Sequence, residues 1–315
     1  MSRRIRKPAT WLLAAAVVAC GVCSTVASAA DQLRWKFKAG DSMHYQMVQD
    51  TTMRTSSPDR TAKTSIAQTI DLTWKVTSVD ANGVAAMIQT IDRMRIKANT
   101  PEGLLAVDSA AAKNEGPLAT SMAPIFKAII GAPFKLKMTP SGRIQDVEIP
   151  ASAAEVLKSS PGLESLLSAD SLKDMTAQAS IPLPEEPVDA GDSWTDEKEL
   201  AGTKLKMTYT YAGPVNRDGQ QLGKIATAAN LEMKFPEAEG VTAEMEKGEL
   251  TGEMFFDYAT GKLLDSSAKQ DMIISIMGMG QSIRQEIQSL VNMRLVPPGE
   301  KEPVESPAPV TKAGK

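Results

Sequence analysis

From Leu33 onward apolar residues alternate with polar ones, the period of a strand with one buried face. Leu33, Trp35 and Phe37 alternate with Arg34, Lys36 and Lys38, and Met43, Tyr45 and Met47 with His44 and Gln46. Ile70, Leu72, Trp74 and Val76 do the same against Asp71, Thr73, Lys75 and Thr77, up to Asp80-Ala81-Asn82-Gly83. Asn-Gly readily takes the positive φ of a tight hairpin turn, so Val84 to Lys97 reads as the partner strand. These strands exceed a dozen residues, against a usual ~5–6. Long antiparallel strands twist and curl, which favours a curved sheet or a closed or half-closed barrel over a flat one.

Leu104 to Val107 predicts a short strand. Leu118, Met122, Ile125, Phe126, Ile129 and Ile130 then line one face of a helix over 117–130, which Pro124 would kink or split. Phe134 to Met138, Thr139-Pro140-Ser141-Gly142 and Arg143 to Ile149 form a compact hairpin. Residues 151–179 are rich in Ala, Leu, Glu and Lys and read as helical, broken at Pro161-Gly162. Pro182, Pro184 and Pro187 make an extended linker. Strands follow at Leu205 to Tyr211 and Leu222 to Phe235, around the turn Asn216-Arg217-Asp218-Gly219. A hairpin comes next, Glu249 to Tyr258 and Lys262 to Ala268. Val291 to Val296 reads as a strand, while 282–290 fits strand and helix equally, with Ser282 and Gln285 resembling a capping box.

The tetrapeptide Ala39-Gly40-Asp41-Ser42 returns as Ala190-Gly191-Asp192-Ser193. Asp80 to Gly83 is matched by Asn216 to Gly219, and Ser141-Gly142-Arg143-Ile144-Gln145-Asp146 by Thr260-Gly261-Lys262-Leu263-Leu264-Asp265. These three marks keep their order at separations of 151, 136 and 119 residues. Residues 30–296 therefore read as one β-rich domain of two repeats, about 31–150 and 187–296, joined by a helical segment. The expected class is α+β, dominated by long antiparallel strands, with helical segments near 117–130 and 151–179.

The ends read differently. Arg3, Arg4, Arg6 and Lys7, an apolar run from Trp11 to Val18, and Ala27-Ser28-Ala29 have the form of a signal peptide over 1–29. The run is too short to span a bilayer. Val17-Val18-Ala19-Cys20 also fits a lipobox, so two fates stay open: release after Ala29, or a lipid anchor at Cys20. Either way the protein is expected in the periplasm, the cell envelope or outside the cell. Both cysteines, Cys20 and Cys23, lie in this leader, so release after Ala29 leaves no thiol or disulfide chemistry. Residues 297–315 are Pro-rich and charged and read as a disordered tail.

Losing the leader takes four of the 35 basic residues, leaving 31 against 38 acidic ones, a net charge near −7. That balance lacks the basic footprint of a nucleic-acid binder, and aromatics at 4% are too sparse for a base-stacking platform.

Candidate chemistry is thin. Gly40-Asp41-Ser42 and Gly191-Asp192-Ser193 resemble the nucleophile block of GDSL-type esterases, which also need a late Asp-x-x-His. The one histidine, His44, is two residues from Ser42 on the alternate-facing side of a strand, in phase with Gln46 and Val48. None accompanies Ser193. A turn shaped by Gly and Asp explains both marks better. A single imidazole excludes a zinc site built on several His and Cys. Asp80-x-Asn82-Gly83 and Asn216-x-Asp218-Gly219 lack the Gly and Glu of a calcium loop. Met272, Met277 and Met279 have the softness of a copper site, but most methionines (Met43, Met47, Met138, Met254) fall on the apolar phase and fill core. Ser266-x-x-Lys269 lacks the companions of the penicillin-binding pattern. Arg93, Arg95 and Lys97 read as a solvated strand face. No catalytic, cofactor-binding or metal-binding residue is assigned.

Leu33-Arg34-Trp35-Lys36-Phe37-Lys38-Ala39-Gly40-Asp41, the Ser141-Gly142 hairpin and the passage from Pro184 to Trp194 together resemble an uncharacterised family of exported bacterial proteins. That family is frequent in planctomycetes and known only as a domain of unknown function. The resemblance covers most of the mature chain and, its motifs being structural, carries over no catalytic residue. More loosely, long antiparallel strands with an inserted helical segment look like the half-barrel lipoprotein carriers of the LolA and LppX kind, a likeness of architecture alone. The expectation is a non-enzymatic exported protein binding an apolar ligand such as lipid on the concave face of its sheet, in a cavity of at least ~300 Å3. The alternative is an envelope structural or protein-interaction module with a filled core.

Overall fold

The computed structural model describes residues 31–111, 114, 116–158, 181–200, 203–233, 241–278 and 281–297. The leader with Cys20, the reading of 159–179 as helix and the tail beyond Pro297 lie outside the described residues. The chain forms β1 (Ser42–Ser56), β2 (Thr61–Val79), β3 (Ala85–Thr100), β4 (Gly103–Asp108), α1 (Pro117–Ile129), β5 (Phe134–Met138), β6 (Ile144–Glu148) and α2 (Ala151–Lys158). It continues through β7 (Ser193–Leu200), β8 (Thr203–Arg217), β9 (Gln220–Met233), β10 (Val241–Asp257), β11 (Lys262–Gly278) and β12 (Gln281–Leu295). One antiparallel sheet results, in the order β6-β5-β3-β2-β1-β12-β11-β10-β9-β8-β7, with β4 paired to β3.

The expected class, antiparallel-dominated α+β with a curved sheet, is what forms. One open reading is decided and two details differ from expectation. Residues 282–290 are strand, because β12 pairs on both sides: Gln285 lies opposite Thr55 of β1 and Ile274 of β11. Two ladders of backbone hydrogen bonds outweigh a helical spacing of side chains. Second, Pro124 neither splits nor ends α1; it lies on the exposed side, where the helix forgoes only the bond its ring removes. Third, Leu33 to Lys38 alternates as a strand but joins no sheet.

That segment instead closes one end of the molecule. Trp35 N–H donates to Pro140 O in the β5–β6 turn (2.9 Å), and Lys36 N–H to Gly261 O in the β10–β11 turn (3.2 Å). Six strand spacings of about 4.8 Å would hold those hairpins roughly 29 Å apart on a flat sheet. The Trp35 ring likewise touches Trp74 of β2 and Phe256 of β10, at centroid distances of 6.2 and 5.6 Å, across four spacings. The sheet is therefore curled, and its concave side is the side of Trp74 and Phe256. The packed core lies at this closed end, where Leu33, Met43, Tyr45, Val76, Met138, Tyr211 and Leu263 are buried.

The paired tetrapeptides make the same connections. Gly40 N–H donates to Val76 O, and Val76 N–H to Asp41 O, both at 2.9 Å. Gly191 N–H donates to Tyr211 O (2.7 Å), and Tyr211 N–H to Asp192 O (2.8 Å). Both glycines have positive φ, +90° and +101°, open to glycine without strain. A bulge follows in each neighbouring strand, between Val76 and Ser78 and between Tyr211 and Gly213. In sequence order β1, β2, β3, β5 and β6 are adjacent neighbours, as are β7 to β11, and β12 joins β11 to β1.

Candidate ligand-binding face

Strand phase divides the sheet into two chemically distinct faces. Residues directly opposite in register share a face, so the concave set can be followed from Trp74 and Phe256 outward through β3, β2, β1, β12, β11, β10, β9 and β8. Along β1 it is Met43, Tyr45, Met47, Gln49, Thr51 and Met53; along β12, Leu295, Met293, Val291, Ser289, Ile287, Gln285 and Ile283. On β11 it is Ser266, Ala268, Gln270, Met272, Ile274 and Ile276. None of the concave positions of these eight strands is Asp, Glu, Lys, Arg or His. The convex phase holds Arg54, Lys63, Asp71, Lys75, Arg95, Lys269, Asp271, Arg284 and Glu286.

The concave face changes character along its length. At the closed end it is packed solid around Tyr45, Trp74, Tyr211 and Phe256. Burial pushes the phenols of Tyr45, Tyr209, Tyr211 and Tyr258 above their usual range; Asp31 and Tyr258, hydrogen-bonded to Tyr211, push it further. Trp74 Nε1 and Gln89 Oε1, on directly paired residues, are buried without a hydrogen-bond partner. Midway lies an uncharged polar patch: Gln49 Nε2 donates to Ser289 Oγ (3.2 Å) and Thr51 Oγ1 (3.4 Å), and the two hydroxyl oxygens are 2.9 Å apart. Gln68 and Gln270 stand directly opposite Gln49 and Ser289. Beyond it, Met53, Met245, Met272, Ile276, Ile283 and Ile287 are half-buried and Ile66 is 36% exposed.

The convex face carries the ion pairs. Arg93 meets Asp108 through two bonds of 3.0 and 2.6 Å, and Arg95 meets Asp71 at 2.9 Å. The Arg93 hydrogen bond holds the Asp108 carboxyl below its ordinary range. Two of the three cations of that strand therefore have carboxylate partners. A cavity of about 900 Å3 also opens on this side of the closed end, between β1, β12, β11 and the β8–β9 turn. Its lining mixes Val48, Leu222, Leu264 and Leu295 with Arg217, Lys262 and Arg294. This volume exceeds the size expected for a ligand cavity, yet it lies away from the concave surface on which one was expected.

The motifs singled out in the sequence fall as follows. Against the reading that put them on alternate sides, Ser42 and His44, two residues apart in β1, share a face, and Ser42 Oγ is 3.5 Å from His44 Nε2. The Thr73 hydroxyl donates to Asp92 (2.5 Å), which leaves its oxygen to accept from His44 Nδ1 (2.9 Å). Alternation along β1 contained this proximity, but Thr73 and Asp92 enter only through strand pairing. The carboxylate reaches the imidazole only through a hydroxyl, and both Ser42 and His44 are exposed. Ser193 bonds to Thr210 instead (2.9 Å). Asp80 Oδ1 accepts from the N–H groups of Asn82 and Val84, and Asn216 Oδ1 from Gly219, as hairpin turns require. Met272 and Met277 project from opposite faces of β11, as do Ser266 and Lys269. Among the described residues no three or more His, Cys, Asp or Glu side chains gather as metal ligands would. No helix among them is long and apolar enough to cross a membrane.

The fold and the face together define a curled antiparallel sheet, closed and packed at one end, with an uncharged concave surface extending past the packing. Residues 82–263 match a family of unknown function, DUF6263, and the chain belongs to that family. No curated protein matches it. Among solved structures it is similar to lipovitellin, solved for its lipid–protein interactions, with 10% identity and a TM-score of 0.49 over 87% of this chain. The chain spans 27% of that protein's length. It is also similar to OccK2 (OpdF) of Pseudomonas aeruginosa, with 6% identity and a TM-score of 0.24, covering 82% of this chain and 100% of that one. A domain from Vibrio parahaemolyticus assigned to outer membrane lipoprotein sorting has 11% identity and a TM-score of 0.13, covering 82% and 87%. Likenesses at these scores carry no argument about function.

Proposed function

We propose that this protein is an exported, non-enzymatic binder of an apolar ligand such as lipid, held against the concave face of its sheet. The observation that carries the reading is the persistence of an uncharged, half-exposed apolar surface beyond the packed core. Burying such surface is favourable by about 25 cal/mol per Å2, so an apolar molecule laid along it is stabilised at no cost in desolvated charge. The charged convex face argues against a bilayer-spanning barrel, whose outer band must be apolar. The same reading places the protein in the periplasm, the cell envelope or outside the cell. It takes residues 30–296 as one domain of two repeats, supported by the matching hydrogen bonds at Gly40 and Gly191. The test is native mass spectrometry of protein gently extracted from its own cells. Co-purified lipid, lost on organic extraction with the fold intact, is expected; a mass without adduct, from protein that takes up no added lipid, refutes the reading.

A further inference from the structure

We infer that the ligand is an uncharged amphiphile, with one non-ionic polar group seated on the Gln49–Thr51–Ser289 patch and an apolar body running from there to the open end. This rests on the reading of the concave face as a ligand site and adds the chemistry of the ligand's polar group. The patch stands at the floor of the open part. Toward the closed end Tyr45, Leu72 and Ile70 are buried; toward the mouth Met53, Met272, Ile276, Ile283 and Ile287 are half-exposed, while Ile274 stays buried. Ser289 is itself buried and the three side chains bond one another, but the Gln49 amide and the Thr51 hydroxyl are half-exposed. A pure hydrocarbon lying over them would strip their remaining water and return no hydrogen bond, whereas a hydroxyl, ester carbonyl or amide of the ligand replaces it. An ionised group fares worse. The cations nearest this part of the sheet, Arg54, Lys63, Lys269 and Arg284, stand on the convex phase, and a charge buried without a partner is costly. At about 3.3 Å per residue, the strands run roughly 17 Å from Thr51 to Ser56 and roughly 26 Å from Ser289 to Gln281, the reach of a long alkyl or fused-ring body.

The experiment compares three probes of one chain length on the full chain at pH 8: hexadecanol, hexadecane and hexadecyl phosphate. Hexadecanol is expected to bind at least tenfold tighter than either of the others. Gln49→Leu combined with Ser289→Ala should erase its advantage over hexadecane and leave hexadecane binding unchanged. Should that pair fail to fold by circular dichroism, Gln270→Leu, on the neighbouring strand, is expected to reduce the same advantage. Equal or tighter binding of the phosphate, or an alcohol preference that survives the substitutions, overturns the inference while leaving the ligand site standing. Binding of none of the three overturns the site itself.

Discussion

Trp35 bridges the two sides of the curled sheet at its closed end, and its removal makes the worth of that packing measurable. The indole is 3% exposed and stacks on Phe37 at 5.9 Å while meeting Trp74 and Phe256 from opposite sides of the closed end. Truncating a buried Trp to Ala costs about 3–5 kcal/mol, from lost transfer energy and the cavity left behind. Each well-placed aromatic pair adds about 0.5–1.5 kcal/mol beyond burial, which places Trp35→Ala at the upper end of that range. Against a total stability of about 5–15 kcal/mol this is a large share.

Guanidinium denaturation followed by far-UV circular dichroism reads the change directly, provided the transition stays cooperative. Phe37→Ala serves as the comparison: Phe37 is partly buried and, among the described residues, has only the Trp35 ring as aromatic partner, so a loss below half that of Trp35→Ala is expected. A Trp35→Ala loss under about 1 kcal/mol would show that the cavity collapses without penalty. The reading of Trp35 as the packing keystone of the closed end, bridging four strand spacings, would then fail.

The glycines separate two kinds of strain. A Cβ at Gly142 would sit 2.1 Å from Ile181 O and one at Gly261 2.5 Å from Lys36 N, whereas Gly40 has nothing within 4 Å. All three have positive φ, so Gly40→Ala should cost about 1–2 kcal/mol from backbone strain alone, while Gly142→Ala and Gly261→Ala cost distinctly more; equal losses in thermal melts would contradict the contacts. The protein has four tyrosines, and all four phenols are pushed above their usual range. Above pH ~10 the unfolded chain therefore loses protons that the folded chain keeps, so this contribution is intact below that pH and fades as pH rises. Absorbance at 295 nm should stay flat through pH 10 and rise only together with loss of far-UV signal. A separate tyrosine titration near pH 10 in the folded protein would refute it.

Much of this architecture was readable from alternation alone. Strand phase along β1 and β2 was evident because each side chain's neighbours two residues away share its polarity. The turns at Gly83, Gly142, Gly219 and Gly261 were evident because few other residues tolerate their conformation. What escaped depended on pairing between distant segments. Residues 282–290 carry helical and strand spacings equally, and only the partners on either side, some 230 residues away in β1, decide between them. Leu33 to Lys38 has strand alternation, but its hydrogen bonds go to two turns, a destination no local pattern encodes. The polar patch was hidden for the same reason. Gln49 and Ser289 are unremarkable polar residues until register brings them together. Ser42 and His44 lay within reach by simple alternation, whereas Thr73 and Asp92 required the sheet.

The two faces differ most informatively where burial is least. At the closed end an uncharged interior needs no functional explanation, since any packed core excludes unpaired charge. Toward the mouth that constraint lapses: a half-exposed charge costs little, and the convex positions there include Arg54, Lys63, Arg284 and Glu286 beside the apolar Ile273 and Met277. The concave positions at the same height are Met53, Thr64, Met272, Ile283 and Ile287, in strands that extend up to about 60 Å, well past the packed end. A scaffold stabilised only by its filled core has no physical reason to keep one phase free of charge over that extension. An apolar ligand laid along it supplies the reason, because each charge on that phase would lose its water when the ligand seats. The asymmetry at the mouth, more than any single residue, therefore favours the binding reading over a purely structural one.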